Sequence, residues 1–176
     1  MEKLSKLFLD IKNNHIAYLS IGSNEGSRLS NIKLSLKLLE DDKLITITKK
    51  SNIYDSEPLY YLEQNHFLNL VAEIKTAYDI HGLLKKCKLI EKKMGRKQTL
   101  KKNYPRIIDL DILTYDDLIY SDDIITVPHN KINERNFVLI PFNEINPDFI
   151  LPNEKKTIKK LLNYSKDNSK VRKLSH

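Results

Sequence analysis

The chain has 176 residues, 40% of them hydrophobic and 30% charged, with a formal net charge of +7. That length suits one domain with a real core and a cleft, and no apolar run reaches the roughly 20 residues that span a bilayer. A single cysteine, Cys87, rules out an internal disulfide and fits a reducing compartment; at an apolar helical position it reads as a small core residue.

Residues 1–14 carry only a broken apolar stretch, Leu7 to Leu9, followed by Asp10. They lack the long apolar region of a secretory signal, so they read as an N-terminal extension of a cytoplasmic protein. His15 to Ile21 is expected as the first strand, Gly22 to Gly26 as a turn, and a helix follows with Leu29, Ile32, Leu36 and Leu39 at helical spacing. Leu44 to Thr48 alternates as a half-buried strand does, with Ile45 and Ile47 on one face. Ser51 to Asn65 shows no period and is expected as a long loop, which in a compact domain usually serves function.

Phe67 to Ile74 is expected as a third strand, with Leu68, Leu70, Ala72 and Ile74 on one face and Phe67, Asn69 and Val71 on the other. A helix from about Asp79 to Met94 follows, carrying a stripe of Ile80, Leu83, Cys87, Ile90 and Met94, with Gly95 to stop it. A second polar loop runs to Tyr104, and Ile107 to Tyr115 is expected as a fourth strand. The order strand, helix, strand, strand, helix, strand is that of an α+β, ferredoxin-like split βαβ sheet. Helices should cover one face, and the other face is left for ligand-binding loops. The domain is expected over residues 15–164. Residues 165–176 read as a solvated basic tail, because the stretch from Lys155 to the end holds eight Lys or Arg against Asp167 alone.

The chemistry concentrates in Pro105-Arg106-Ile107-Ile108-Asp109-Leu110-Asp111-Ile112-Leu113. Strand alternation points Asp109 and Asp111 the same way, about 7 Å apart. Paired carboxylates repel unless a cation or proton intervenes, and an all-oxygen site favours a hard ion such as Mg²⁺. The same pattern also describes two solvated aspartates on an edge strand. Arg96, Lys97, Lys101, Lys102 and Arg106 lie on or beside the loop just upstream, and cations beside paired carboxylates suit a metal-bound polyphosphate. Val127-Pro128-His129, Arg135 and Phe137 form a third group, in which His129 could donate to a phosphate or serve structure alone. Phe67 and Asn69 offer an aromatic plane and an amide to a flat heterocycle. There is no glycine-rich phosphate loop and no Cys/His zinc cluster.

From His15 to Pro152 the chain resembles the 6-hydroxymethyl-7,8-dihydropterin pyrophosphokinases of folate synthesis. The resemblance is carried by Ile21-Gly22-Ser23-Asn24, by Ser51, Tyr54, Ser56 and Pro58, and by Gln64, Phe67 and Asn69. It continues through Ile90-Glu91 with Gly95-Arg96, Pro105-Arg106 with Asp109-Leu110-Asp111-Ile112, Val127-Pro128-His129, Arg135 with Phe137-Val138-Leu139, Pro141, Glu144-Ile145 and Pro147.

The resemblance implies a Mg-dependent transferase in which the pterin hydroxyl attacks the β-phosphorus of ATP and AMP leaves. It implies two Mg²⁺ ions on Asp109 and Asp111, with Arg96 and Arg106 on the phosphates. Glu91, Thr126, His129 and Arg135 would contact ATP. Ser56, Leu59, Phe67, Asn69 and Phe137 would form the pterin pocket. The expected partners are ATP and the pterin alone, with no membrane, no nucleic acid and a monomeric state. Departures from the family pattern fall at Tyr60, Gln98, Asn103 and Tyr104, where a glycine, an arginine, a tryptophan and a glycine are frequent. Two competing readings stand beside this one: an RNA-binding module with a basic tail, whose ligand two aspartates on the sheet face would repel, and a relative that binds its ligands without turnover.

Overall fold

The computed structural model describes residues 15–59, 62–96 and 104–175. The N-terminal extension and the readings placed on Tyr60, Lys97, Gln98, Lys101, Lys102 and Asn103 lie outside the described residues.

Strand β1 (His15–Ser23) leads to helix α1 (Arg28–Glu40), β2 (Ile45–Lys50), β3 (Tyr54–Ser56), β4 (Phe67–Thr76), α2 (Ile80–Lys93) and β5 (Asp109–Tyr115). A small hairpin, β6 (Tyr120–Ser121) with β7 (Thr126–Val127), and a 3₁₀ turn (Ile132–Glu134) precede α3 (Asn136–Ile145). The chain continues through β8 (Ile150–Leu151), β9 (Lys156–Thr157), α4 (Ile158–Asn163) and β10 (Val171–Lys173). The main sheet runs β10-β3-β4-β1-β5, with β2 also on β4, and its pairs are antiparallel. The order β5-β1-β4-β2 within it is that of the split βαβ arrangement.

Alternation along β1, β4 and β5 builds the sheet's two faces. Leu19, Ile21, Leu70, Ile74, Leu110 and Ile112 turn toward α1 and α2, where Ile32, Leu39, Leu83, Cys87 and Ile90 close one core. Leu29, expected on the buried stripe of α1, is instead exposed.

The opposite face divides along its length. At one end Tyr18, Val71 and Leu113 meet Val138, Leu139 and Phe142 of α3 and Ile158 and Leu161 of α4 in a second core, with Tyr18 and Phe142 stacked at 4.4 Å between ring centroids. At the other end the same strands carry Ser20, Gly22, Asn69, Asp109 and Asp111, and among the described residues no helix covers them. Helices therefore cover all of one face and half of the other, where the sequence had suggested one face alone. Polar and small residues mark where the second core stops.

Two further differences from the sequence reading follow from long-range pairing. The loop expected over Ser51 to Asn65 contains β3, which takes the same edge of β4 as β2 but nearer the cleft, pairing Tyr54 to Asn69 and Ser56 to Phe67. The basic tail is not a solvated appendage: β10 pairs Val171 to Ser56 and Lys173 to Tyr54, and the Leu174 N–H donates to the Ile53 oxygen at 2.8 Å. Both strands are three residues long, too short for alternation to be seen.

Candidate active site

Strand pairing delivers the two carboxylates. Asp109 lies opposite Gly22 and Asp111 opposite Ser20 on β1, so both stand over the uncovered end of the sheet. Helix α2 ends where the site needs it to. Gly95 takes φ +88°, its N–H bonds to the Lys92 oxygen, and the Arg96 N–H bonds to the Glu91 oxygen, both at 3.0 Å. This paired C-terminal cap turns Arg96 back toward β5, where its Nη1 meets Asp109 Oδ1 at 2.5 Å and Glu91 Oε1 at 2.6 Å. Arg106 approaches Asp109 from the other side, with Nε 2.7 Å from Oδ2.

The two aspartates are thus unlike. Burial alone would raise the Asp109 carboxyl, but Arg106 and Arg96 outweigh it and hold it below the usual carboxylate range. Burial raises Asp111, and repulsion by Asp109 adds to that, against weaker help from His129, Lys88 and Arg135. Among the described residues no side chain pairs with the Asp111 carboxylate. An oxygen pair in which one member lacks a counter-charge could hold a hard cation. The described residues bring no third His, Cys, Asp or Glu to it, so phosphate and water oxygens would complete the coordination.

Two clefts open here. One, about 590 Å³ with its solvent-open mouth included, is lined by Ser56, Leu59, Phe67, Asn69 and Phe137 together with Ser20, Gly22, Glu57, Gln64, Arg106, Asp109, Asp111 and Arg135. The other, about 870 Å³, is lined by Thr126, His129, Lys88, Ile124, Ile125 and Lys131 among others, and again by Asp111 and Arg135. The clefts share those two residues, so a cation and an arginine-bound anion at the junction would touch ligands in both.

Within the first cleft the Asn69 amide donates to Ser56 Oγ at 2.8 Å, which fixes its plane, and the Arg106 and Arg135 guanidinium groups lie 5.3 and 5.5 Å from the Phe67 and Phe137 ring centroids. In the second, His129 Nδ1 accepts the Lys131 N–H at 3.1 Å. The neutral ring therefore carries its proton on Nε2, and burial lowers its affinity for a second proton, against the attraction of Asp111. The Val127–Pro128 bond ahead of it is cis.

The residues expected for the pterin thus come together in one cleft, and Thr126, His129 and Arg135 in the other. Glu91 and Arg96 line neither cleft among the described residues. Glu91 is 4% exposed, and its oxygens are taken by the Leu110 N–H at 2.8 Å, by Lys88 at 3.0 and 3.1 Å and by Arg96. In this arrangement it lies under the site, where it anchors the start of β5 and braces Arg96.

Three contributors went unassigned in the sequence reading. Gly22 gives the cleft its floor: a Cβ there would stand 2.6 Å from Asn69 Oδ1, and a glycine inside a strand is a signal for such close approach. Asn24, fully buried, joins Arg106 to the Gln64 loop. Lys88 sits on the exposed side of α2 by spacing alone, and only the fold brings it to the second cleft.

The description of a protein family, 7,8-dihydro-6-hydroxymethylpterin-pyrophosphokinase, matches residues 18–147. The chain is 39% identical over 132 residues to the Bacillus subtilis 2-amino-4-hydroxy-6-hydroxymethyldihydropteridine pyrophosphokinase, covering 75% of this chain and 78% of that one. It is 42% identical over 139 residues to the Schizosaccharomyces pombe folic acid synthesis protein fol1, covering 79% of this chain and 19% of that one. The chain spans about a fifth of the length of the first curated relatives it matches. A solved structure described as Plasmodium falciparum HPPK-DHPS wild type with pteroate superposes with a TM-score of 0.69 at 18% identity, over 86% of this chain and 42% of that one. At that identity the likeness speaks for the fold.

Proposed function

The chain belongs to the 7,8-dihydro-6-hydroxymethylpterin-pyrophosphokinase family, and on that premise we propose that it transfers pyrophosphate from ATP to the hydroxyl of 6-hydroxymethyl-7,8-dihydropterin, releasing AMP. The observation that carries this reading is the pair of clefts that meet at Asp111 and Arg135. One carries aromatic and amide groups suited to a pterin; the other is rimmed by Lys88, His129 and Lys131, suited to a nucleotide.

Phe67 and Phe137 sandwich the ring, and Asn69, its plane set by Ser56, reads the polar edge. The hydroxymethyl group then points at the junction, where the triphosphate lies across Asp109 and Asp111. The oxygen forms its bond to the β-phosphorus as the bond to the α,β-bridging oxygen breaks, and the hydroxyl proton passes to solvent or a phosphate oxygen. Mg²⁺ held by Asp109 and Asp111 would neutralise the charge that builds on the phosphates. Arg106 and Arg96, beside Asp109, bind phosphate oxygens, and His129 donates Nε2–H to the nucleotide. Such transfer needs little beyond positioning and charge neutralisation.

The test is incubation of the protein with ATP and the pterin, with and without Mg²⁺, and detection of AMP and the pterin diphosphate. Formation of ADP, or no product, would overturn the reading. Calorimetric titration of Mg²⁺ with a non-hydrolysable ATP analogue gives a second readout: Asp111→Asn should abolish the Mg²⁺-dependent part of binding.

A further inference from the structure

The final described segment touches both walls of the first cleft. Asp167 Oδ2 accepts the Asn136 N–H at 2.7 Å, and the Asp167 main-chain oxygen accepts from the Asn136 amide at 2.6 Å. Asn136 opens α3 and stands between Arg135 and Phe137, which both line the cleft. The N-cap residue of that helix, Arg135, makes no side-chain cap bond. A carboxylate from 31 residues away supplies the missing acceptor and meets the positive end of the helix dipole. Its other oxygen, Oδ1, accepts the Ser169 N–H at 2.8 Å, so the carboxylate is held from both sides and aimed.

On the facing wall the Glu57 N–H donates to the Lys170 oxygen at 3.2 Å, and the Lys170 N–H donates to Glu57 Oε2 at 3.2 Å. The next residue, Val171, pairs with Ser56. Glu57 and Ser56 both line the cleft. Asp167 and Lys170 lie beyond the 18–147 span of the family match.

We infer that Asp167 is a positioning residue for the substrate cleft: the 167–173 segment straps the Ser56–Glu57 wall to the Arg135–Phe137 wall and so sets the width of the pocket that takes the pterin. The identity of the ligand rests on the function proposed above; the strap itself rests only on the contacts just described. Charge alone makes this segment look like a tail. Its hydrogen bonds tie it to both walls of the cleft.

The test uses the full chain and two variants, Asp167→Ala and Asp167→Asn. Loss of a helix cap is expected to raise the KM for the pterin about tenfold, with kcat and the KM for ATP changed less than about threefold. Asp167→Asn retains an acceptor for the Asn136 N–H and should restore the pterin KM to within about threefold of wild type. Hydrogen exchange in peptides spanning 135–139 should quicken about tenfold in Asp167→Ala and recover in Asp167→Asn. An unchanged pterin KM in Asp167→Ala, or an equal rise in the KM for ATP, would overturn the inference. If the wild-type protein turns over no pterin, the functional reading fails separately, and exchange at 135–139 still decides the strap: no change in Asp167→Ala sinks it.

Discussion

Asn24 and Arg106 hold each other across 82 positions of sequence: the side-chain Oδ1 of Asn24 accepts the Arg106 N–H at 2.8 Å, and the Arg106 main-chain oxygen accepts the Asn24 N–H at 3.2 Å. The Asn24 amide also donates to Gln64 Oε1 at 2.9 Å and to the Asn65 oxygen at 3.3 Å. One buried side chain therefore sets the entry of β5, the aim of Arg106 and the loop that carries Gln64. Asn24→Ala should cost about 1–3 kcal/mol, since it leaves a buried N–H without its acceptor. It should also lower kcat under conditions where the variant is fully folded. Urea denaturation and turnover on the same preparation separate the two effects, and unchanged kcat would confine Asn24 to stability.

The unequal surroundings of the paired aspartates give them opposite roles in stability. Asp111→Asn removes repulsion and an unpaired charge, so the denaturation midpoint should hold or rise by up to about 1 kcal/mol while activity is lost. Asp109→Asn takes the charged partner from Arg106 and one of the two carboxylates from Arg96, which keeps Glu91, and should cost about 1–3 kcal/mol in addition to activity. Equal effects on stability from the two substitutions would contradict the ion pairing described here.

Gly95→Ala puts a side chain at φ +88°, where L residues are strained. The expected cost is about 1 kcal/mol. The larger consequence is for Arg96, whose direction depends on the same turn: kcat should fall more than it does for Leu89→Ala, a substitution at an exposed position on the same helix. Thermal unfolding and steady-state rates check both.

Two carboxylates outside the site are expected to contribute to acid sensitivity. Burial tends to raise Asp42, but Lys86, the Leu44 N–H and the Tyr78 hydroxyl outweigh it, and its affinity for a proton is lowered. Glu73 is likewise lowered: burial opposes, while Tyr18, Thr48 and Lys49 prevail. In both cases the unfolded chain binds protons more tightly than the folded one. Their contribution is therefore complete above the ordinary carboxylate value of about 4 and is lost as pH falls through the lower folded values. Glu91, raised chiefly by burial, and Asp111 act in the reverse sense, and their contribution fades as pH rises. Urea midpoints measured from pH 3 to 7 should fall toward acid less steeply in an Asp42→Asn, Glu73→Gln double variant than in wild type. An identical slope would show that these groups do not control it.

The parts of the fold that repeat were legible in the sequence. Period-two alternation marked β1, β4 and β5 and placed Asp109 beside Asp111. The stripe from Ile80 to Met94 and the glycine after it marked α2. Hidden features depend on partners far along the chain. Nothing in Tyr54 to Ser56 or Val171 to Lys173 announces a strand until the edge of β4 is in place. The cover that α3 lays over Tyr18 depends on Phe142, in a helix that contains Pro141, a residue that argues against helix when read alone. At the site, the bonds by which Glu91 holds Arg96 and the Leu110 N–H join the end of α2 to β5, and no local pattern in the sequence announces them.

Strand β10 has one consequence for the molecule in solution. An unpaired sheet edge is a template on which other chains add strands, and proteins blunt it with lysine and arginine. Here β10 occupies the backbone groups of β3 and turns Arg172 and Lys173 outward, both exposed. Removing it would trade a cationic, repellent border for the Tyr54 to Ser56 backbone, and the first symptom at high concentration would be aggregation.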